Sequence, residues 1–342
     1  MRVAVVRNKD VSGVINRFGQ RRPQPPGPKP QDYSDNVVAA LQEGGHEVLL
    51  CEGDKGLIAM LQQFIPPDSQ GRPSGIVFNL ADGIQGEHRC THVPAMLEMA
   101  GVPYTGPGPL GFGLGHDKVI AKILLRDRGV PTPNFRVMSR GTESIGGLRF
   151  PAIVKPSRED DSFGLQLVNE PAELKRAVEV IVEQYEQDAL VEEYIDGREI
   201  SVPLLGNGEL EVLPLVEQDF GDRATRIMTW EAKNIAAAAP SKTCPAQIGS
   251  KLAMVLRDIS VATFRACQGR DYARVDIRID RAGQPFVLEI NGAPSLSTDS
   301  SYLVAAEAAG HSYSSLVNRI LDVAHIRYFG TANPQPGKSE AQ

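Results

Sequence analysis

No stretch of this 342-residue chain approaches the ~18 to 20 consecutive apolar residues of a membrane span. The opening MRVAVVRNKD carries only a brief apolar run before turning polar, too short for the core of a signal peptide. The chain is therefore expected to be cytoplasmic, with no membrane partner. Cysteine is scarce. The four that occur (Cys51, Cys90, Cys244 and Cys267) show no CxxC spacing, which suits reduced, mostly buried thiols rather than a disulfide framework. An excess of basic charge is missing as well, since 36 Lys and Arg stand against 42 Asp and Glu, so nucleic acid is not an expected partner. Aromatic residues make up 6% and hydrophobic ones 42%, which is ordinary for a globular protein, and the length suits two or three domains. No internal repeat is visible.

What is present alternates in type. RVAVV (2–6), a helical pattern from about Tyr33 to Glu43, HEVLLCE (46–52), IVFNL (76–80), and then PAMLEMAG and VPYTG predict a parallel α/β domain. Between the first strand and helix, RRPQPPGPKPQD has five prolines in twelve residues and predicts an exposed loop or a proline-rich partner site. From Asp117 the pattern runs helix, buried strand (FPAIVKPS), amphipathic helix (PAELKRAVEVIVEQY) and strand (DALVEEYI). A hairpin turning at Asn207-Gly208 follows. Residues 218–245 read as a long loop of the kind that serves as a lid, and helices are predicted over 248–268 and 312–327. The resulting division is an α/β domain over 1–116, a small subdomain over 117–188, a larger one over 189–330 and a disordered tail over 331–342.

The densest chemistry lies late in the chain. Asp276 in YARVDIRID and Glu289 with Asn291 in FVLEINGAPS fall on two alternating stretches joined by DRAGQ, as in two antiparallel strands that set three oxygen ligands side by side. Such a set suits Mg²⁺ and points to a nucleotide site; solvated strand-end acids are the plain alternative. Lys155 ends an apolar strand before SREDDSFG, where Ser157, Ser162 and Gly164 let backbone amides approach a phosphate. HRCTH offers His88, Cys90 and His92 in strand-like alternation, read either as metal ligands or as a polar loop lining a cleft beside Glu87. GPGPLG formally satisfies GxGxxG, but Pro107 and Pro109 remove two amides that a dinucleotide would need, so a tight turn is expected there.

Taken in order, GVPYTGPGPLGFGLGHDKVIAKILLRDRGVPTP, PAIVKPSREDDSFG, LVEEYIDGREISV, WEAKN, ARVDIRID and LEINGAPSLSTDSS resemble the ATP-grasp superfamily, and within it the D-alanine–D-alanine ligase family, over about residues 76–325. The resemblance implies an α/β (α+β) ATP-grasp fold whose two subdomains clasp ATP. It implies that Lys118, Lys155 and Lys233 contact ATP phosphates or the adenine pocket, helped by the loop at Ser162. Glu192, Glu193, Tyr194 and Ile195 match the adenine hinge, and Glu199 matches the ribose-binding acid. Asp276, Glu289 and Asn291 match ligands of two Mg²⁺ ions, replaceable by Mn²⁺, and Arg274 matches the transition-state arginine, with Lys233 beside it in catalysis.

The departures fall on the substrate side. No acid in RNKDVSGVINRFGQRRPQPP matches the family's amine-binding glutamate, and the GEDG run reads GEHRC, with Glu87 and His88. Asp161 replaces a serine, Asn234 a tyrosine and Ser295 a glycine. Ser300 matches a carboxylate-binding serine, and Ser301 follows it where leucine is common. The expected activity is an ADP-forming carboxylate–amine ligase acting through an acyl phosphate on a substrate other than D-alanine, as a homodimer. D-alanine–D-alanine ligase proper and a nucleotide-binding regulator without turnover are the alternatives.

Overall fold

The computed structural model describes residues 1–8, 32–223, 226–229 and 240–330. The proline-rich run up to residue 31, Lys233, Asn234 and the tail from 331 lie outside the described residues. Strand β1 (Arg2–Arg7) sits between β2 (Glu47–Glu52) and β3 (Gly75–Asn79) in a parallel sheet of order β2-β1-β3. Because side chains alternate along a strand, Val3 and Val5 pack on one face and Ala4 and Val6 on the other. Helices α2 (Leu57–Phe64) and α3 (His92–Met99) supply Leu57, Leu61, Val93 and Leu97 to the Ala4 face. The Val3 face is covered by α1 (Ser34–Glu43) and, from the far end of the chain, by Leu316, Val317 and Ile320 of the helix Tyr313–Phe329.

After helices α4 (Pro109–His116) and α5 (Lys118–Asp127) come two antiparallel sheets. The smaller has the order β4-β7-β5-β6, from Phe135–Met138, Ala189–Glu193, Ala152–Pro156 and Gln166–Val168, and packs Ala152, Val154 and Val191 against α6 (Pro171–Tyr185). The larger has the order β11-β10-β8-β12-β13, with β9 (Leu210–Val212) added to β8. Its members are β8 (Gly197–Gly206), β10 (Val216–Asp219), β11 (Ser241–Thr243), β12 (Tyr272–Asp280) and β13 (Pro285–Asn291). On one face of this sheet Ile200, Val202, Val275 and Ile277 form a core with α7 (Ser250–Ala266) and α5. Helix α8 (Ser301–Ala308) and the helix Tyr313–Phe329, here α9, close the chain. Among the described residues no helix is long and apolar enough to cross a membrane.

Four local readings change. GPGPLG is not a bare turn, because Gly108 is the N-cap and Pro109 the first residue of α4, the one helical position where a missing N–H costs nothing. HRCTH is a 3₁₀ turn (Arg89–Thr91) running into α3; it turns Cys90 inward and leaves His88 and His92 exposed, so the three do not face one ion. VPYTG contributes a single parallel bridge, Val77 to Tyr104, rather than a strand. The span 218–245 holds the end of β10 and all of β11, whose antiparallel ladder satisfies backbone groups that a loop would leave to water.

Asp271 joins three of these parts. Fully buried, it accepts from Gly106 N (2.8 Å), from Asn207 Nδ2 (2.9 Å) and from both Nε and Nη2 of Arg327 on α9 (2.9 and 2.8 Å). Asp271→Ala leaves the Arg327 guanidinium only the Tyr104 carbonyl (2.8 Å) and the Tyr328 ring, and strands two further donors. The expected loss is about 3–5 kcal/mol, read as a lower urea midpoint at unchanged denaturant slope.

Candidate active site

The register of the large sheet assembles one polar face. Arg274, Asp276 and Arg278 alternate with the buried Val275, Ile277 and Ile279, and β8 sets Ser201 opposite Asp276 and Glu199 opposite Arg278. On the other side β13 sets Glu289 opposite Asp276 and Asn291 opposite Arg274. The DRAGQ turn is held by Asp280 N to Gln284 O (2.9 Å) and by Gly283 at φ 83°, a conformation glycine adopts without strain.

Asp276 is fully engaged. Its Oδ1 accepts from Ser201 Oγ and Arg274 Nε (both 2.8 Å), and its Oδ2 from Arg274 Nη2 (2.8 Å) and Asn291 Nδ2 (3.0 Å). Burial works against the Arg274 charge, but Asp276 first and then Glu289 more than offset it and raise its pKa further. Glu289 keeps about a quarter of its side chain exposed and lies 3.7 Å from Lys118 Nζ. Two carboxylates and an amide, facing one space beside a lysine, form an all-oxygen donor set of the kind a hard cation takes once the Asn291 amide turns its oxygen inward.

The small sheet presents its own polar face, since Lys155 and Glu192 alternate with the core residues Val154 and Val191. Glu192, 3% exposed, is shared by Lys155 Nζ (2.5 Å) and Lys122 Nζ (2.8 Å). Two buried ammoniums on one carboxylate do not remain equal. Burial pushes Lys122 down to about 8, whereas Lys155 is raised because Glu192 and Glu289 outweigh its burial. Lys118 links the two polar faces across one cleft, its Nζ reaching Glu159 O just past β5 of the small sheet and lying 3.7 Å from Glu289 on β13. At the cleft's hinge Glu193 N donates to Asn134 O and Tyr194 N to Pro151 O, while the Glu193 carboxylate is forked by Arg149 and Ile195 is buried.

A loop closes one end. Asp117 caps α5 by accepting from Val119 N and Ile120 N (both 3.0 Å), which aims Lys118 at Glu159 O (2.5 Å). Asp161 and Ser162 follow at φ 55° and 57°, and Gly164 at φ 78° lies where a Cβ would meet the Tyr185 ring at 2.7 Å. Successive left-handed residues turn backbone amides toward a common concavity. Asp160 is clasped by Arg89 (3.2 Å) and His116 (3.3 Å), and Arg158 reaches Glu87 (2.8 Å), so this loop is tied to the turn carrying the exposed His88. Ser300 caps α8, and the Ser301 hydroxyl accepts from Gln218 Nε2 (2.8 Å).

A profile described as the C-terminal part of D-alanine–D-alanine ligases matches residues 124–322. A D-alanine–D-alanine ligase A of Mesorhizobium japonicum is 32% identical, covering 92% of this chain and 87% of its own length. The chain belongs to the D-alanine–D-alanine ligase family. As a member it is an ATP-dependent ligase that forms carbon–nitrogen bonds. An uncharacterized protein of Sinorhizobium fredii is 70% identical over 96% of this chain and 98% of its own. The ATP-grasp fold is seen again in a D-alanine–D-alanine ligase from Bacillus anthracis solved with ATP, which has a TM-score of 0.73 at 22% identity and covers 97% of this chain and all of that one.

Several residues of this family member's cleft escaped the sequence reading. Lys122 was overlooked although it lies one helical turn after Lys118 in DKVIAK, a spacing that puts both on one face. Asp82, just past β3, was overlooked too; it is exposed at the surface, yet desolvation by its surroundings and then Asp160 push its carboxyl up to about 6. Nothing local in LADGI marks it. The shared carboxylate makes a differential prediction: Glu192→Gln leaves two buried ammoniums facing each other and should cost about 3–5 kcal/mol, whereas Lys122→Met leaves Glu192 its Lys155 and should cost about 1–3 kcal/mol. Urea denaturation of the two variants compares them directly.

Proposed function

We propose that the chain is an ADP-forming carboxylate–amine ligase that acts through an acyl phosphate on an amino acid, or amino-acid-like amine, other than D-alanine. The observation carrying this reading is the pairing, in one cleft, of a lysine-rich wall (Lys118, Lys122, Lys155) with the Asp276, Glu289 and Asn291 oxygen set and Arg274. Lys118, Lys155 and the amides around Ser162 are assigned to the ATP phosphates, and the hinge Glu192, Glu193, Tyr194 and Ile195 to adenine. Asp276, Glu289 and Asn291 would hold Mg²⁺, which when bound neutralises triphosphate charge. The substrate carboxylate attacks the γ-phosphorus, the bond to the bridging oxygen breaks, and ADP leaves. Next the amine attacks the acyl carbon and phosphate departs. Arg274, held by a two-point bond to Asp276, faces the developing oxyanion as a permanently charged donor. Lys233 and Asn234 keep their assigned catalytic and substrate roles as proposals.

A substrate other than D-alanine is supported by the charge on the cleft's substrate side. The segments 82–89 and 157–162 bring Asp82, Glu87, Asp160 and Asp161 together with Arg89, Arg158 and His116. Those cations offset Asp160 and Glu87, and Asp82 with Asp161 is left to suit a substrate with a cationic group better than one bearing a methyl. A second reading, D-alanine–D-alanine ligase itself, is favoured by relatives of that name at 30–34% identity, among them one from Geobacter sulfurreducens. The family also favours a cytoplasmic homodimer, with parts divided near residues 116 and 188.

With ATP and Mg²⁺, the purified chain should release phosphate when a matching carboxylate and amine are supplied. Glu289→Gln should lower the rate about 10²-fold or more, the effect of several kcal/mol of lost charge stabilisation. Equal turnover in that variant would remove Glu289 from the site. Turnover of D-alanine at about 1–10³ per second would establish the second reading.

A further inference from the structure

Arg278 has no counterpart among the residues assigned so far, yet it occupies the middle of the polar face. Two residues beyond Asp276 on β12, it lies opposite Glu199 on β8, and Glu199 in turn lies opposite Gln218 on β10. It is 4% exposed. Its guanidinium lies 5.1 Å from the Tyr194 ring centroid and 5.8 Å from that of Phe220, within range of attraction between a cation and an aromatic face. Nη2 donates to the Arg226 carbonyl, which also accepts from the Tyr194 hydroxyl at 3.3 Å. Nε stands 3.7 Å from Glu199 Oε2, an ion pair beyond hydrogen-bond length, and is a buried donor with no hydrogen-bond partner among the described residues.

A buried guanidinium is costly to desolvate, and leaving one N–H unpaired adds to the cost. A ligand group or a small shift of the Glu199 carboxylate would remove that addition. A nucleotide lying from the hinge at Tyr194 to the acids at Asp276 and Glu289 must pass over Arg278 and Glu199, because they are the side chains between those points on this face. We propose that Arg278 is a positioning residue of the ribose subsite: it fixes the Glu199 carboxylate beside the sugar hydroxyls and pins the Arg226 carbonyl to the hinge tyrosine. The proposal rests on the ATP reading of the cleft given above.

The test is calorimetric binding of ATP and of 2′,3′-dideoxy-ATP, with Mg²⁺, to the full chain and to Arg278→Met, Arg278→Lys, Glu199→Gln and the Arg278→Met/Glu199→Gln double variant. The unaltered chain should prefer ATP by about 10-fold, the size of a hydrogen bond to a charged group. Arg278→Met should abolish that preference by weakening ATP alone, and the double variant should be no worse than Glu199→Gln. Arg278→Lys keeps the charge without the fork and should lose the preference as well, which preserves the comparison if the methionine variant does not fold. A purely structural role would weaken both nucleotides equally. An unchanged preference in a folded variant, or additive losses in the double variant, overturns the proposal. If the unaltered chain binds ATP without preference, this inference alone falls; if it does not bind ATP, the ATP reading falls with it.

Discussion

The alternation of β12 is the constraint on which the site depends. Val275, Ile277 and Ile279 are buried in the core under α5 and α7, so Arg274, Asp276 and Arg278 have no choice but the opposite face. A slip of one residue would bury three charges in that core and expose three branched apolar side chains. The hydrophobic effect, which has no interest in catalysis, thereby fixes the register that sets Asp276 against Glu289 and Arg278 against Glu199. The same logic works in the small sheet, where Val154 and Val191 bury toward α6 and leave Lys155 and Glu192 to the cleft.

Charge inside the cleft is arranged by sharing. Glu192 serves two lysines, Asp276 accepts four donors, and Glu289 influences Lys118, Lys122, Lys155 and Arg274 at once. Single buried ion pairs seldom stabilise a protein, because desolvation offsets most of the attraction. Counted together, Lys118, Lys122, Lys155 and Arg274 exceed these three carboxylates by one, which prepares a wall whose remaining positive charge an anionic ligand can neutralise. The polar face is thus organised for a guest more than for the fold's own stability.

Much of this was legible before any coordinates. The strands and helices with clear periods were found, and the thirteen-residue separation of Asp276 and Glu289, with a turn between them, predicted their direct opposition in the hairpin. What escaped has specific causes. Helix α4 carries glycine and proline in PLGFGLGH, residues that read as turn until their positions relative to the N-cap are known. Strand β11 is three residues long and is defined by its partner, not by its own composition. Ser300 was read as a binding residue, and its role as the cap of α8 is a local hydrogen bond that the family pattern does not announce. Asp82 and Arg278 gain meaning only from what the fold brings opposite them.

The contact between α1 and α9 has a consequence for how the molecule is made. Asn318 donates to the carbonyl of Ala40 across 278 positions of sequence, and Leu316, Val317 and Ile320 cover the face of the first sheet that carries Val3, Val5 and Phe78. During synthesis that face has only α1 to cover it until nearly all the rest of the chain has left the ribosome, so the first strands translated are among the last to be fully sealed. A nascent chain cut short before residue 313 would leave part of that apolar face bare beside α1, a surface that chaperones retain and that aggregates when they do not.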